Sequence, residues 1–85
     1  MNTITDAGRA IRAILVDELY VEVPATDIGD DDSLRDDLGL DSLGFVELRA
    51  QCERAFGIKI SEQDFSPTHF ATAGTLAALV VRLAR

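Results

Sequence analysis

The sequence has one cysteine and one histidine, and each scarcity closes off a class of chemistry. A lone Cys52 forms no disulfide within the chain. Ten positions beyond Ser42 on an apolar stripe, it reads as a small buried hydrophobe rather than a reactive thiol. A lone His69 has no second ligand at metal spacing and no triad partners, so a loop histidine is expected and no metal site. Long apolar runs are missing as well. None approaches the roughly 20 residues of a membrane span, and no charged-then-apolar leader precedes a cleavage site, so the chain reads as cytoplasmic, with no membrane role.

Bases are also scarce: eight Lys and Arg stand against fifteen Asp and Glu, a net charge of −7. The imbalance is local. Residues 1–40 hold ten acids and three bases, whereas residues 41–85 hold five of each. Between Asp27 and Asp41, Arg35 is the one base amid seven aspartates, among them Asp30, Asp31, Asp32, Asp36 and Asp37. Such a stretch repels nucleic acid, and it suits either basic protein partners or plain solubility. Calcium is excluded on spacing. Leu34 takes the fifth position counted from Asp30, no Gly follows it, and no twelfth-position Glu closes an EF-hand loop.

What is present is helical periodicity. At 85 residues the chain is one domain, 1–85, able to bury only about 60% of its unfolded surface, which suits a small all-α bundle. Ile4, Ala7, Ile11, Ile14, Leu15 and Leu19 recur at steps of three and four, predicting a first helix capped by Thr3 or Thr5 and fading near Tyr20 ahead of Pro24. Residues 21–40 show no sustained period and form a long acidic loop. Ile28, Leu34 and Leu38 are expected to anchor it, and Ser33 to cap a single turn through Asp37.

Ser42 to Phe56 is the second helix, with Asp41 as its N-cap and Gly57 as a left-handed C-cap. Phe45, Leu48, Cys52 and Phe56 make one stripe, assigned to the core. Leu43, Val46, Glu47 and Ala50 make a neighbouring stripe, either a partner-docking face or a broad core face carrying one solvated Glu. Ile58 and Ile60 seal the core, and one short helix is expected near Ser61–Asp64 or Ser66–His69. Thr72 caps a last helix in which Leu76, Leu79, Val80 and Leu83 give i, i+3, i+4, i+7. The expected architecture is a four-helix bundle of three main helices and one short one.

Everything converges on the stretch LGLDSLGFVELR, where the acidic loop turns into the second helix. Ser42 stands in the first helical turn, where a phosphate ester would meet unpaired N–H groups and the positive end of the helix dipole. An ordinary helix-capping serine is the alternative. A serine-hydrolase elbow is not, because the residues around Ser42 are not Gly-x-Ser-x-Gly and no strand precedes them. The stretch resembles the phosphopantetheine attachment site of acyl carrier proteins, Leu-Gly-x-Asp-Ser-Leu followed by Val-Glu-Leu. Leu38, Gly39, Asp41, Ser42, Leu43, Val46, Glu47 and Leu48 all match. The likeness extends from about Ile11 to Ala84, including Phe-Gly-Ile after the second helix and Phe-x-Thr before the last.

The resemblance implies a monomeric carrier rather than an enzyme. A phosphopantetheinyl transferase would move 4′-phosphopantetheine from coenzyme A to Ser42, making a phosphoprotein, and acyl groups would ride on the arm as thioesters. Acyl-loading, condensing or tailoring enzymes with basic docking patches would then read Asp36, Asp37, Asp41, Leu43, Val46, Glu47 and Ala50. Phe45, Leu48, Phe65 and Phe70 would line an acyl-chain cleft, or simply pack the core. Arg49 and Arg54 depart from the acidic second helix of fatty-acid carriers, and the seven Arg against one Lys suit a GC-rich bacterial genome. A fatty-acid-like, polyketide or other natural-product pathway is therefore expected, with a dedicated natural-product pathway preferred to recognition by ordinary fatty-acid synthase enzymes. An aminoacyl or peptidyl carrier is the alternative, disfavoured because Asp rather than Gly-Gly-x precedes Ser42. A small acidic interaction module without prosthetic group is the third reading.

Overall fold

The computed structural model describes residues 3–85. Three helices, α1 (Ile4–Asp17), α2 (Ser42–Phe56) and α3 (Ala73–Leu83), carry the fold, with one 3-10 turn at Ala25–Asp27. Each helix begins where a side chain accepts from its free N–H groups. Thr3 caps α1 through Asp6 N–H at 3.0 Å, Asp41 caps α2 through Gly44 N–H at 2.8 Å, and Thr72 with Thr75 forms a capping box on α3. Gly57, at φ 64°, ends α2 in the left-handed conformation that a Cβ disfavours.

Helix α1 lies along α3 and packs more lightly on α2. Ala7, Ile11, Ile14 and Leu15 of α1 meet Ala73, Leu76, Ala77, Leu79 and Val80 of α3, and α2 adds Leu48 and Cys52. Ile4, assigned by period to the same stripe, is 54% exposed because it precedes the first buried turn. Three short helices leave the core incomplete, and loop residues Ile28, Leu34, Leu40, Ile60 and Phe70 close it. Burial of such side chains contributes roughly 1.5–3 kcal/mol each relative to exposure. Leu38, half-buried, packs against the same core.

The acidic loop is held by its own polar groups. Ser33 Oγ accepts from Asp36 N–H at 3.0 Å while Asp37 accepts from Ser33 N–H at 2.7 Å, so Leu34 turns inward and both aspartates face water. Two backbone bonds then tie the loop to the start of α3: Leu34 N–H to Ala71 C=O and Gly74 N–H to Asp30 C=O, each 2.9 Å. A Cβ on Gly74 would stand 2.9 Å from that Asp30 oxygen, so glycine is what permits the approach.

The short helix expected between Gly57 and Thr72 does not form, and the described residues make a bundle of three helices rather than four. Two single turns stand in its place. Phe65 N–H donates to Ser61 C=O and Phe70 N–H to Ser66 C=O, each turn capped by its serine through Asp64 N–H or His69 N–H. The first turn cannot propagate into a helix, because Pro67 disfavours helical backbone at Ser66 and offers no N–H of its own.

Candidate functional site

Ser42 is the first residue of α2 and is exposed. The Asp41 carboxylate takes the Gly44 N–H and the Asp41 carbonyl takes the Phe45 N–H. The N–H groups of Ser42 and Leu43 precede any intrahelical acceptor and remain for another partner. A group esterified to Ser42 Oγ would therefore lie at a helix start with donors and a positive partial charge beside it.

Two hollows flank the serine. The first is an open cleft of about 570 Å³, lined by Ser42, Phe45 and Val46 from α2, Ser33, Arg35 and Asp36 from the acidic loop, and Phe65, Ser66, Pro67, Phe70 and Ala71 from the double turn. Its floor is aromatic. Phe65 and Phe70 pack edge to face at 5.0 Å and 82°, and the Arg35 guanidinium stands 5.8 Å from the Phe45 ring centroid. The second is a broader groove of about 870 Å³ between the chain leaving α1 and the other side of α2, with Asp37, Asp41, Leu43, Val46 and Glu47 in its wall.

The two faces assigned to α2 separate as their spacing predicts. Leu43 is 78% and Val46 54% exposed, Glu47 is exposed and held by Gln51 at 2.8 Å, and Ala50 is half-buried. Opposite them, Leu48 and Cys52 are fully buried and Phe45 and Phe56 half-buried. Of the four residues expected in a cleft, Phe45, Phe65 and Phe70 line it. Leu48 does not, because it lies one turn further from Ser42 and is spent in the core. Burial, helped by the neighbouring Glu53 charge, pushes the Cys52 thiol up to about 12. It is a neutral packing group at physiological pH.

Arg49 does not offer its charge to a partner. It donates to Glu62 Oε1 at 3.0 Å and to the Ile60 carbonyl, approaches Glu53 at 4.0 Å, and lays its guanidinium 4.9 Å from the Phe65 ring centroid. It straps the double turn to α2 and so sets one wall of the cleft. His69 contacts Asp64 at 3.8 Å, and among the described residues no cluster of His, Cys, Asp or Glu could hold a metal ion. Nor is any helix there long and apolar enough to cross a membrane.

Sequence reasoning missed two features around the serine. Arg35 is the one cation lining the cleft and makes no ion pair among the described residues; its isolation in the acidic loop was the available signal. Tyr20, at the rim of the second groove, had no sequence signal that set it apart from a residue at a fading helix end.

The geometry agrees with comparisons to known proteins. The family model described as "Phosphopantetheine attachment site" matches residues 9–80. An acyl carrier protein of Solidesulfovibrio magneticus is 41% identical over 54 residues, 64% of this chain and 67% of that protein. One of Streptomyces coelicolor is 40% identical over 60 residues, 71% of this chain and 61% of that protein. Among solved structures, the acyl carrier protein of Enterococcus faecalis superposes with a TM-score of 0.77 at 23% identity, covering 95% of this chain and 98% of that one. With its attachment-site signature on an exposed helix start and its fold shared, the chain belongs to the acyl carrier protein family, a carrier with covalent 4′-phosphopantetheine and not an enzyme.

Proposed function

We propose that Ser42 Oγ is the attachment point of the phosphopantetheine and that the chain carries acyl intermediates for a dedicated natural-product pathway. The observation that carries this reading is the exposed hydroxyl at the first position of α2, between an N-cap that fixes the helix start and a cleft open to the same side. Transfer requires Ser42 Oγ to attack the phosphorus of coenzyme A that bears the pantetheine. A P–O ester forms, the pyrophosphate bond breaks to release adenosine 3′,5′-bisphosphate, and the hydroxyl proton passes to a base of the transferase. Magnesium belongs to that enzyme and its substrate.

This chain's residues supply position and charge. The free N–H groups at the start of α2 and the Arg35 guanidinium, which lines the same cleft as Ser42, would balance the phosphodiester, since the other charged groups lining the two hollows are carboxylates. When attached, the arm supplies a terminal thiol that holds cargo as a thioester. Phe45, Phe65 and Phe70 offer that cargo an apolar resting place, and the exposed Leu43, Val46 and Glu47 offer partners a weak docking face. The dedicated pathway is supported by Arg54, exposed in the distal half of α2, where it opposes a basic patch spanning the whole helix.

Intact mass tests the attachment. Incubation with coenzyme A, magnesium and a promiscuous phosphopantetheinyl transferase should add one phosphopantetheine to the wild type and none to Ser42→Ala. Addition to the variant, or none to a folded and initially unmodified wild type, would overturn the reading.

A further inference from the structure

Tyr20 is the one non-glycine residue at positive φ among the described residues, at 59°, and it is 81% exposed. The conformation is forced by the chain reversal after α1, where Leu19 N–H returns to Ile14 C=O and Val21 N–H to Leu15 C=O. Glycine adopts such a backbone freely, whereas a bulky side chain resists it. Nor is the tyrosine kept for packing, since its ring is outside the core. A strained residue that serves neither its turn nor the interior points to a use outside the fold.

Tyr20 lines the same groove as Leu43, Val46 and Glu47 of α2. Glu18, Glu22, Asp36, Asp37, Asp41 and Glu47 also line this groove, and no base does. The walls thus combine exposed apolar side chains with six carboxylates beside Ser42. A protein that brings coenzyme A, a polyanion, to Ser42 carries basic side chains around that pocket, and the six carboxylates of this groove are complementary in charge to the rim of such a pocket. An exposed tyrosine ring accepts such a cation on its face while carboxylates on either side steer it.

We propose that Tyr20 is a recognition residue for the basic face of the phosphopantetheinyl transferase, so that docking spans the chain leaving α1 as well as α2. The inference rests on Ser42 being the attachment site. Tyr20 touches no reacting atom; it positions the partner.

Initial rates of phosphopantetheine transfer by a promiscuous transferase, measured against carrier concentration for wild type, Tyr20→Gly and Tyr20→Phe, test this directly. Tyr20→Gly should raise KM roughly two- to fivefold with kcat unchanged, the size of an exposed cation–π contact. Its unfolding midpoint should equal or exceed that of the wild type, because the turn then carries the residue it favours. Tyr20→Phe keeps the ring and should retain the wild-type KM. An unchanged KM for Tyr20→Gly, with wild type modified normally, overturns the proposal and leaves Ser42 attachment standing. A wild type that is not modified at all overturns both.

Discussion

At the scale of single residues, the same chemistry means opposite things at two positions on α2. Ser42 offers a hydroxyl to solvent, and Cys52, ten residues on, hides a thiol in the core. Burial raises that thiol from 9.0 to about 12. Between those values the unfolded chain releases the proton and the folded chain keeps it, so unfolding gains a driving force as pH rises. The contribution of this group to stability is complete below pH 9 and is lost progressively toward pH 12. Denaturation midpoints measured from pH 8 upward should therefore fall more steeply for wild type than for Cys52→Ala. A thiol-specific reagent at neutral pH should label the native protein only once denaturant is added.

Arg49 belongs to the scale of the element, because its worth lies in joining α2 to the double turn at 61–70. Charge-assisted hydrogen bonds contribute about 1.5–3 kcal/mol where solvent is partly excluded, but Glu62 is exposed and that pair adds little. Arg49→Ala should cost roughly 1–2 kcal/mol in chemical denaturation, mostly from the lost bond to the Ile60 carbonyl and the contact with Phe65. Amide exchange should quicken at Ile60 and Phe65 while the interior of α2 stays protected. If Arg49 stood free of the double turn, neither change would appear. The caps were legible, with Thr3 one of two candidates for α1, because Thr3, Asp41, Thr72 and Gly57 act on backbone a few residues away. The double turn was not, since Ser61 and Ser66-Pro67 are both start signals and only together do they prevent a helix. Where Arg49 points was equally hidden, depending as it does on residues eleven and thirteen positions on.

On the scale of the whole molecule, charge and packing divide the protein differently. Acid is concentrated before Ser42, yet the core draws on every segment, with Ile28, Leu34, Leu40, Ile60 and Phe70 supplied by loops. The exposed helix start at Ser42 was legible because motif, cap and amphipathic helix are contiguous. The cleft was legible only in part: its phenylalanines were anticipated, but its opposite wall comes from Ser33, Arg35 and Asp36, which no periodicity links to Phe65 or Phe70. The groove beside Tyr20 depends likewise on how a helix end meets a face formed more than twenty residues later.

The bond from Leu34 N–H to Ala71 C=O joins those two walls. Residues on either side of it line the cleft, so it acts as a clasp that sets how far the jaws can part. On the proposed reading of this cleft as the cargo's resting place, small cargo should lie between them with the clasp shut, and bulky cargo should wedge it open. The Leu34 amide is then a gauge built into the backbone. Its deuterium uptake, compared across carriers loaded with acyl groups of rising girth, should stay slow up to a threshold and then jump, and that threshold would be the width of cargo the protein was shaped to shelter.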